Sequence, residues 1–465
     1  MIRLFHLHIP IWGMMLFAAD VVVAFSVISL GFNLSYAPVE ELTDVVQVQL
    51  GGKIVYTAGI VVGLFVMGLH YRRYVAELGI VPLRIAAAHF LAFLLLSTTF
   101  YLMPSVRVWQ SALLPAMGLN LIGAYILRVA FVRIGNIQLF KRRIIVLGTA
   151  APAAEILALE TSGQSARFRC VGFIRGSDEE NLVGADKELT LEPGEPLYKA
   201  VARVGASEIV VALKERRSRL PIDELLQCRL RGIQVSQFST FMERETGKVE
   251  LESLNPSWLI FADGFSASLR VQRMLKRGFD VVVSLMLLLF TLPVTTLTAL
   301  AIFLWDRGPV FYRQDRVGQH SVVFKLLKFR SMRVDAEKDG IARWASQADS
   351  RVTPVGFFIR RTRIDEIPQI YNVLRGEMSF VGPRPERPSI VENLRREIPY
   401  YDSRHVVKPG ITGWAQINYS YGASLEDARQ KLKYDLYYIK NYSIVLDLLI
   451  LMQTVRVVLL GQGAR

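Results

Sequence analysis

The sequence predicts a membrane protein of mixed α and α/β class, and three observations lead to that prediction. Apolar residues make up 52% of the 465 residues, which is high for a soluble enzyme, yet the formal net charge is +14. Apolar runs near the length of about twenty residues that a bilayer-spanning helix needs are joined to segments in which strand-like and helix-like patterns alternate. We therefore expect a transmembrane region at 1–140, a Rossmann-like domain at 141–265 and a third domain at 266–465.

Four apolar segments open the chain and predict a four-helix transmembrane region, the second segment being shorter than the others. They cover residues 11–32, 54–69, 83–103 and 111–132. Asp20 lies within the first segment. We interpret it as part of a helix–helix contact, and a functional buried carboxylate is the alternative.

Charges on the connecting loops predict the orientation of this region. The loop after the first segment is acidic, with Glu40, Glu41 and Asp44. Basic residues flank the second connection and follow the fourth segment: Arg72, Arg73, Arg84, Arg133, Lys141, Arg142 and Arg143. Since positive loops stay inside, we expect the N-terminus and residue 143 to face the cytoplasm.

Strands alternating with helices predict a parallel, Rossmann-like sheet in the second domain. The strand-like runs are 144–150, 168–175 and 207–213, and a helix-like run covers 222–231. Gly148 ends the first strand, but the following G-T-A-A-P-A lacks the other glycines of the dinucleotide fingerprint, and Pro152 occupies the turn. We expect a regulatory or oligomerising domain, with binding of a nicotinamide cofactor as the alternative.

The uncharged run at 281–305 is long enough to cross a membrane, yet basic residues stand on both sides of it. These residues are Lys276, Arg277, Arg307, Arg313, Arg316, Lys325, Lys328 and Arg330. Basic residues on both sides of the run favour a cytoplasmic location for both of its ends. We therefore predict a re-entrant helix over 278–305 that breaks at Pro293. The hydroxyls of Thr291, Thr295 and Thr296 are expected to satisfy the freed carbonyls, and a kinked spanning helix is the alternative.

The overall positive charge predicts an anionic partner: nucleic acid, acidic lipid or a phosphorylated substrate. The sequence has no motif that reads DNA or RNA, so membrane lipid is favoured and nucleic acid is not expected. Cys170 and Cys228 lie in no Cys-x-x-Cys or Cys/His cluster, which predicts ordinary thiols rather than a disulfide or a zinc site.

A dense charge cluster lies at 360–369, R-R-T-R-I-D-E-I-P-Q, and is centred on the adjacent carboxylates Asp365 and Glu366. Six arginines surround the pair in sequence: Arg360, Arg361, Arg363, Arg375, Arg384 and Arg387. Such a cluster is either a solvated surface or a site for phosphate chemistry, because guanidinium groups bind phosphate oxygens and carboxylates bind metals or attack phosphorus.

From residue 269 onward the chain resembles the bacterial sugar transferase family, the monotopic polyprenyl-phosphate phosphoglycosyl transferases. The motifs that carry the resemblance are K-F-R-S-M (328–332), I-D-E-I-P-Q-I-Y-N-V-L-R-G-E-M-S-F-V-G-P-R-P-E (364–386), K-P-G-I-T-G-W-A-Q-I-N (408–418) and Y-D-L-Y-Y-I-K-N-Y-S (434–443). With its N-terminal helices and Rossmann-like domain the chain is similar to the large members, and to the subgroup of exosortase-associated exopolysaccharide loci. It departs from the family pattern at Leu292, where smaller members have Ser before Pro293, and at Ile364 and Ile367, where leucines are usual.

The resemblance implies transfer of a sugar 1-phosphate from a UDP-sugar to undecaprenyl phosphate, with release of UMP. It implies that Asp365 is the nucleophile and that Glu366 either helps to hold Mg²⁺ or orients the pair; we assign both carboxylates to the metal site. Phosphate or nucleotide contacts are expected from Arg330, Arg360, Arg384, Lys408, Thr412 and Gln416. Gln369 either aligns the pair or merely packs, and the remaining arginines of the cluster are expected to be surface or headgroup contacts.

The resemblance further implies the initiating step of exopolysaccharide or related glycan synthesis, at the bacterial inner membrane, with the Rossmann-like and catalytic domains in the cytoplasm. A homodimer is expected, and the sugar is open. Two other functions would require features that can be checked in the sequence. A scaffold or chain-length regulator would need periplasmic coiled-coil heptads, and a nucleotide-sugar dehydratase or epimerase would need an intact glycine fingerprint and a Tyr-x-x-x-Lys pair. The sequence has neither feature.

Overall fold

The chain forms two compact units in a computed structural model, one from His8 to Gly247 and one from Lys248 to Arg465, with the first seven residues divided between them. The structure describes residues 2–4, 7–9, 11–35, 42–71, 75, 79–135, 141–161, 168–176, 179–192, 194–213, 220–251, 270–334, 336, 351–419, 422 and 424–459. Two short strands come first, β1 (Ile2–Leu4) and β2 (Leu7–Ile9). The division into three domains stays a prediction.

Four apolar helices follow, as the sequence predicts. They are α1 (Ile11–Ser35), α2 (Leu42–Val66), α3 (Val81–Leu102) and α4 (Gln110–Gly135). Three of them are long and apolar enough to cross a membrane, whereas the apolar part of α2, Leu50–Val66, is shorter. The loop residues Glu40, Glu41, Arg72 and Arg73 lie outside the described residues, so the orientation stays a prediction.

Asp20 joins α1 to α4 through a buried ion pair. Arg128 donates from Nη1 to Asp20 Oδ1 at 2.5 Å and from Nη2 to Oδ2 at 2.7 Å. His70 Nε2 lies 2.8 Å from the same Oδ2 atom. Because a charge in an apolar bundle is costly without a partner, this geometry supports the interpretation of Asp20 as a helix–helix contact.

The Rossmann-like part is a four-stranded parallel sheet in the order β4-β3-β5-β6, which confirms the predicted sheet type. Its strands are β3 (Arg142–Leu147), β4 (Phe168–Ile174), β5 (Glu208–Val211) and β6 (Gln234–Gln237). Its helices are α5 (Ala151–Thr161), α6 (Leu197–Arg203), α7 (Ile222–Leu230) and α8 (Phe238–Thr246). Apolar side chains alternate along β3, so Ile144 packs in a core on one face and Ile145 in a core on the other.

The turn after β3 is where a Rossmann domain that binds a dinucleotide holds the pyrophosphate. Gly148 has φ +129°, and a Cβ there would lie 2.7 Å from the Ala212 carbonyl oxygen, so only glycine fits. The next amide, Thr149 N, donates to Glu179 Oε2 at 3.1 Å. An internal carboxylate therefore binds the amide that follows the glycine.

The second unit begins with the long helix α9 (Arg270–Asp306) and the antiparallel strands β7 (Phe311–Val317) and β8 (Val323–Phe329). It continues with α10 (Pro354–Arg361), α11 (Gln369–Arg375), β9 (Ser379–Val381) and α12 (Pro388–Glu397). Strand β10 (Gly410–Thr412) pairs in parallel with β9 and precedes α13 (Trp414–Asn418), α14 (Leu425–Lys440) and α15 (Ile444–Leu459). Buried Ile302, Phe329 and Ile359 join α9, β8 and α10 in one core.

Helix α9 is long and apolar enough to cross a membrane, and the helix continues through Pro293 without a break. The re-entrant path therefore stays a prediction. Pro293 cannot donate to the Leu289 carbonyl, four residues earlier.

The expected role of the three threonines in satisfying that carbonyl is wrong. Thr291 donates to the Leu287 carbonyl, and Thr295 and Thr296 both donate to that of Leu292. A threonine hydroxyl reaches back three or four residues along its own helix. The positions from which Leu289 could be reached are 292 and 293, which hold leucine and proline.

Candidate active site

The carboxylate pair lies in a short 3₁₀ turn, Ile364–Glu366, between α10 and α11. The chain enters this turn through Arg363, which has φ +60° in the left-handed region. A non-glycine residue there is uncommon, and such conformations concentrate at functional sites. Ile364 packs against the core formed by α9, β8 and α10, so the turn is held between packed elements.

Glu366 is held by two cations that come from distant parts of the chain. Lys328 Nζ and Arg384 Nη2 each donate to Glu366 Oε1 at 2.9 Å. Arg363 Nη1 lies 3.8 Å from Oε2. Burial alone would raise the pKa of Glu366, but the charges of Lys328, Arg384 and Arg363 outweigh it and lower the pKa well below its usual range. Glu366 is therefore ionised and fixed in position.

Asp365 has the opposite environment, although it is the neighbouring residue. It is 8% exposed, and among the described residues none donates a hydrogen bond to its carboxylate. Burial raises the pKa of Asp365; the positive charge of Lys328 works against this increase, and the negative charge of Glu366 adds to it. The pair thus consists of one carboxylate engaged by cations and one that is poorly solvated and available for chemistry.

Lys328 is the functional residue that the sequence analysis missed. Side chains of a strand alternate between two faces, so Lys328 lies on the same face of β8 as buried Phe324 and Leu326. A lysine that continues the apolar face of a strand was the available signal. Arg363 was expected at the surface or at lipid headgroups; its side chain is 34% exposed, and its charge acts on both carboxylates.

The three arginines predicted to bind phosphate differ in how directly they contact or influence the carboxylate pair. Arg384 binds Glu366 directly, and the charge of Arg360, at the end of α10, acts on Asp365. Arg330 is buried at the end of β8, where its guanidinium fills the space beside Gly308: a Cβ on that glycine would lie 3.0 Å from Arg330 Cζ. These three arginines therefore belong to segments that surround the carboxylate pair.

The sequence of this site matches a known protein family. The sequence model described as "Bacterial sugar transferase" matches residues 271–461, which include the pair and its cations. Exopolysaccharide production protein PSS of Rhizobium leguminosarum bv. phaseoli is 41% identical over 190 residues, 39% of this chain and 93% of the relative. The chain belongs to the bacterial sugar transferase family.

Longer relatives in this family align with more of the chain. The UDP-N-acetylgalactosamine-undecaprenyl-phosphate N-acetylgalactosaminephosphotransferase of Aeromonas hydrophila is 42% identical over 241 residues, 52% of this chain and 56% of the relative. The undecaprenyl-phosphate glucose phosphotransferase of Komagataeibacter xylinus is 35% identical over 331 residues, 68% of this chain and 58% of the relative. The chain thus spans somewhat more than half the length of these two relatives, and their names specify different sugars. The exosortase-associated subgroup stays a prediction.

Four other residues are assigned by resemblance to the bacterial sugar transferases, and the contacts described for Lys408, Thr412 and Gln416 lie away from the pair. Gln369 is buried at the start of α11, and Thr412 Oγ1 is 2.7 Å from Thr454 Oγ1. Gln416 donates to the Ile411 carbonyl at 3.0 Å. Burial lowers the pKa of the Lys408 amine, which lies near charged groups at the start of α9. Contacts of these four residues with substrate stay predictions.

Proposed function

We propose that this protein transfers a sugar 1-phosphate from a UDP-sugar to undecaprenyl phosphate, with Asp365 as the nucleophile. The observation that carries the proposal is the difference between two adjacent carboxylates: Glu366 is engaged by Lys328 and Arg384, whereas Asp365 is buried without a donor among the described residues. Support for the substrates comes from the relatives, two of which are named as undecaprenyl-phosphate sugar phosphotransferases.

The proposed reaction has two steps at one site. A carboxylate oxygen of Asp365 forms a bond to the β-phosphorus of the UDP-sugar, the bond from that phosphorus to the bridging oxygen breaks, and UMP leaves. A phosphate oxygen of undecaprenyl phosphate then attacks the same phosphorus and releases Asp365, giving the sugar diphospholipid. Forming a covalent intermediate lets a soluble donor and a membrane-held acceptor use the site in turn.

The cations around the pair suit this chemistry. Charge develops on phosphate oxygens in both steps, and fixed cations in a poorly solvated site stabilise it without reorganising. Arg330, Arg360 and Arg384 are the proposed phosphate ligands, and Arg384 is already oriented by its bond to Glu366. Lys328 lowers the cost of ionising Asp365 and fixes Glu366.

Mg²⁺ is proposed as the cofactor, with Asp365 as its protein ligand. Among the described residues there is no group of three or more His, Cys, Asp or Glu side chains that could form a complete metal cage. Glu366 Oε1 already accepts two hydrogen bonds from cations, so the geometry fits Glu366 poorly as a ligand. Mg²⁺ commonly binds through one or two carboxylates plus substrate phosphates, and it would neutralise phosphate charge here.

The proposed location is the bacterial inner membrane, with the site on its cytoplasmic side. Apolar α9 belongs to the same unit as the carboxylate pair, and the phosphate of a polyprenyl lipid lies at headgroup level. UDP-sugars are cytoplasmic, so both substrates meet at that face. Initiation of exopolysaccharide synthesis fits the name of the Rhizobium relative. A homodimer stays a prediction.

The test is release of UMP by purified protein with Mg²⁺, undecaprenyl phosphate and a panel of UDP-sugars. Asp365→Asn should lower the rate by at least about a thousandfold, since the nucleophile is lost. Asp315→Asn is the matched control: Asp315 is exposed on β7, and its replacement should leave the rate unchanged. With a sugar-labelled donor and no acceptor, label should bind covalently to the wild type but not to Asp365→Asn. Unchanged turnover by Asp365→Asn would disprove the nucleophile assignment.

A further inference from the structure

The segment that carries Arg384 is held by hydrogen bonds along its whole length. We call residues 382–386, G-P-R-P-E, the arginine loop. Its last four carbonyls each accept a hydrogen bond, in chain order from Gly410 N at 3.0 Å, Arg404 Nη2 at 3.0 Å, Arg316 Nη1 at 3.0 Å and Val317 N at 2.9 Å. Two of its residues are prolines with restricted φ, so these contacts leave the loop little freedom.

One of these donors, Arg404, is a buried charge that the proposed chemistry does not use. It lies in the 3₁₀ turn Tyr401–Val406 and is 6% exposed. It donates from Nη1 to Tyr401 Oη at 2.6 Å and from Nη2 to the Arg384 carbonyl at 3.0 Å. Nη2 also lies 2.8 Å from Oδ2 of Asp435, which is 2% exposed on α14.

We propose that Arg404, held by Asp435 and Tyr401, is a positioning residue that fixes the Arg384 main chain so that the Arg384 guanidinium meets Glu366. A buried ion pair adds little net stability compared with apolar side chains of the same size, so the geometry that it fixes is the better explanation for this one. The carbonyl that Arg404 holds belongs to the same residue whose side chain binds Glu366 Oε1 at 2.9 Å.

The three acceptors around Arg404 need a guanidinium. Tyr401 Oη, the Arg384 carbonyl and Asp435 Oδ2 are bound by two nitrogens of one planar group. A lysine keeps the positive charge opposite Asp435 but has a single nitrogen on a flexible stem, so it cannot hold all three. Arg404→Lys therefore removes the positioning contact with little change in charge.

The first test measures catalysis and therefore rests on the proposed function. It is a double-mutant cycle in which the rate of UMP release is measured. Arg404→Lys should lower kcat/KM about 10- to 100-fold in the wild-type background and less than about threefold in the Arg384→Ala background, because Arg404 acts through Arg384. Arg396→Lys is the matched control: this arginine is exposed on α12, pairs with Glu392 at 2.9 Å, and should behave like the wild type. Equal losses in both backgrounds would overturn the inference.

Hydrogen–deuterium exchange gives a second readout that does not depend on activity. In Arg404→Lys the amides of Gly382, Arg384 and Glu386 should exchange at least about tenfold faster, while those of α12 stay unchanged. Unchanged exchange in the arginine loop would also overturn the inference. Absence of UMP release by the wild type would instead refute the proposed function, and exchange would still judge the role of Arg404.

If Arg404→Lys does not fold, Tyr401→Phe replaces it in both measurements, since it removes one hydroxyl from the same cluster. It should slow catalysis about three- to tenfold with Arg384 present and leave the rate unchanged in Arg384→Ala. An equal loss in both backgrounds counts against the inference here as well.

Discussion

Replacing Lys328 with methionine should change both the rate and its dependence on pH. At 2.9 Å the attraction between Lys328 Nζ and Glu366 Oε1 amounts to about 6 kcal/mol at an effective dielectric constant of about 20. Desolvation offsets most of this attraction, and the side chains are 19% and 11% exposed. We therefore expect the substitution to lower the free energy of unfolding by about 2 kcal/mol. Glu366 also loses one of the two cations that fix it beside Asp365, and the resulting misplacement should lower kcat/KM about 10- to 100-fold.

The shift in pH dependence is the more specific part of this prediction. Asp365 must be ionised to attack, so kcat/KM rises with pH through the pKa of Asp365 in the free enzyme. After burial, the charge of Lys328 is the largest influence on that pKa, and it lowers it. Without Lys328 the pKa of Asp365 should rise, and the acidic limb of the profile should move to higher pH.

The assay is a pH profile of kcat/KM for UMP release, measured on Lys328→Met and on a control from the same strand. Lys325 is exposed and lies on the opposite face of β8, so Lys325→Met should keep both the rate and the acidic limb. An acidic limb of Lys328→Met that stays in place, or moves to lower pH, would refute the reasoning. Unchanged secondary structure of both variants at the assay temperature, measured by circular dichroism, would exclude misfolding as the cause.

Three further predictions concern Glu366, the membrane helices and His405. Glu366→Gln removes a negative charge beside Asp365, so the acidic limb of kcat/KM should move to lower pH while the maximal rate falls at least about tenfold. Asp20→Asn leaves the buried Arg128 without its carboxylate, and the thermal midpoint in detergent should fall in line with a loss of about 3 kcal/mol. Burial, with the charge of Arg404 beside it, lowers the pKa of His405 from 6.5 to about 4. The unfolded chain therefore binds more protons between those values, and the free energy of unfolding should fall by about 3 kcal/mol as pH drops through that window, a trend that His405→Gln should flatten.

Local patterns in the sequence predict the Rossmann-like sheet well and its edge poorly. Buried strands such as Ile144–Val146 are continuous apolar runs between turn residues, and they are recognisable without knowledge of the fold. Strand β6, with the sequence Q-V-S-Q, was missed because it is a short edge strand of mostly polar residues. The order β4-β3-β5-β6 depends on crossovers that no local pattern specifies.

In the candidate site the sequence identifies the carboxylate pair but not the difference between its members. Asp365 and Glu366 are adjacent and chemically alike, so local pattern gives them similar pKa values. The difference is made by Lys328, 38 positions away from Glu366, and Arg384, 18 positions away. Contacts over such separations require the fold, which explains why the motif was recognised while Lys328 was missed.

The start of α9 connects the apolar part of this helix to the elements on either side of the pair. Arg277 donates to two carbonyls at the end of α11, the helix that follows the pair, at 2.5 and 2.6 Å. Lys276 donates to the Val381 carbonyl at 3.0 Å, and Asp280 accepts from β9, just before the arginine loop. A displacement of α9 would therefore act on both Glu366 and Arg384. The same contacts thus fix the carboxylate pair and the arginine loop relative to the apolar helix α9, which the proposed transfer to a membrane lipid requires.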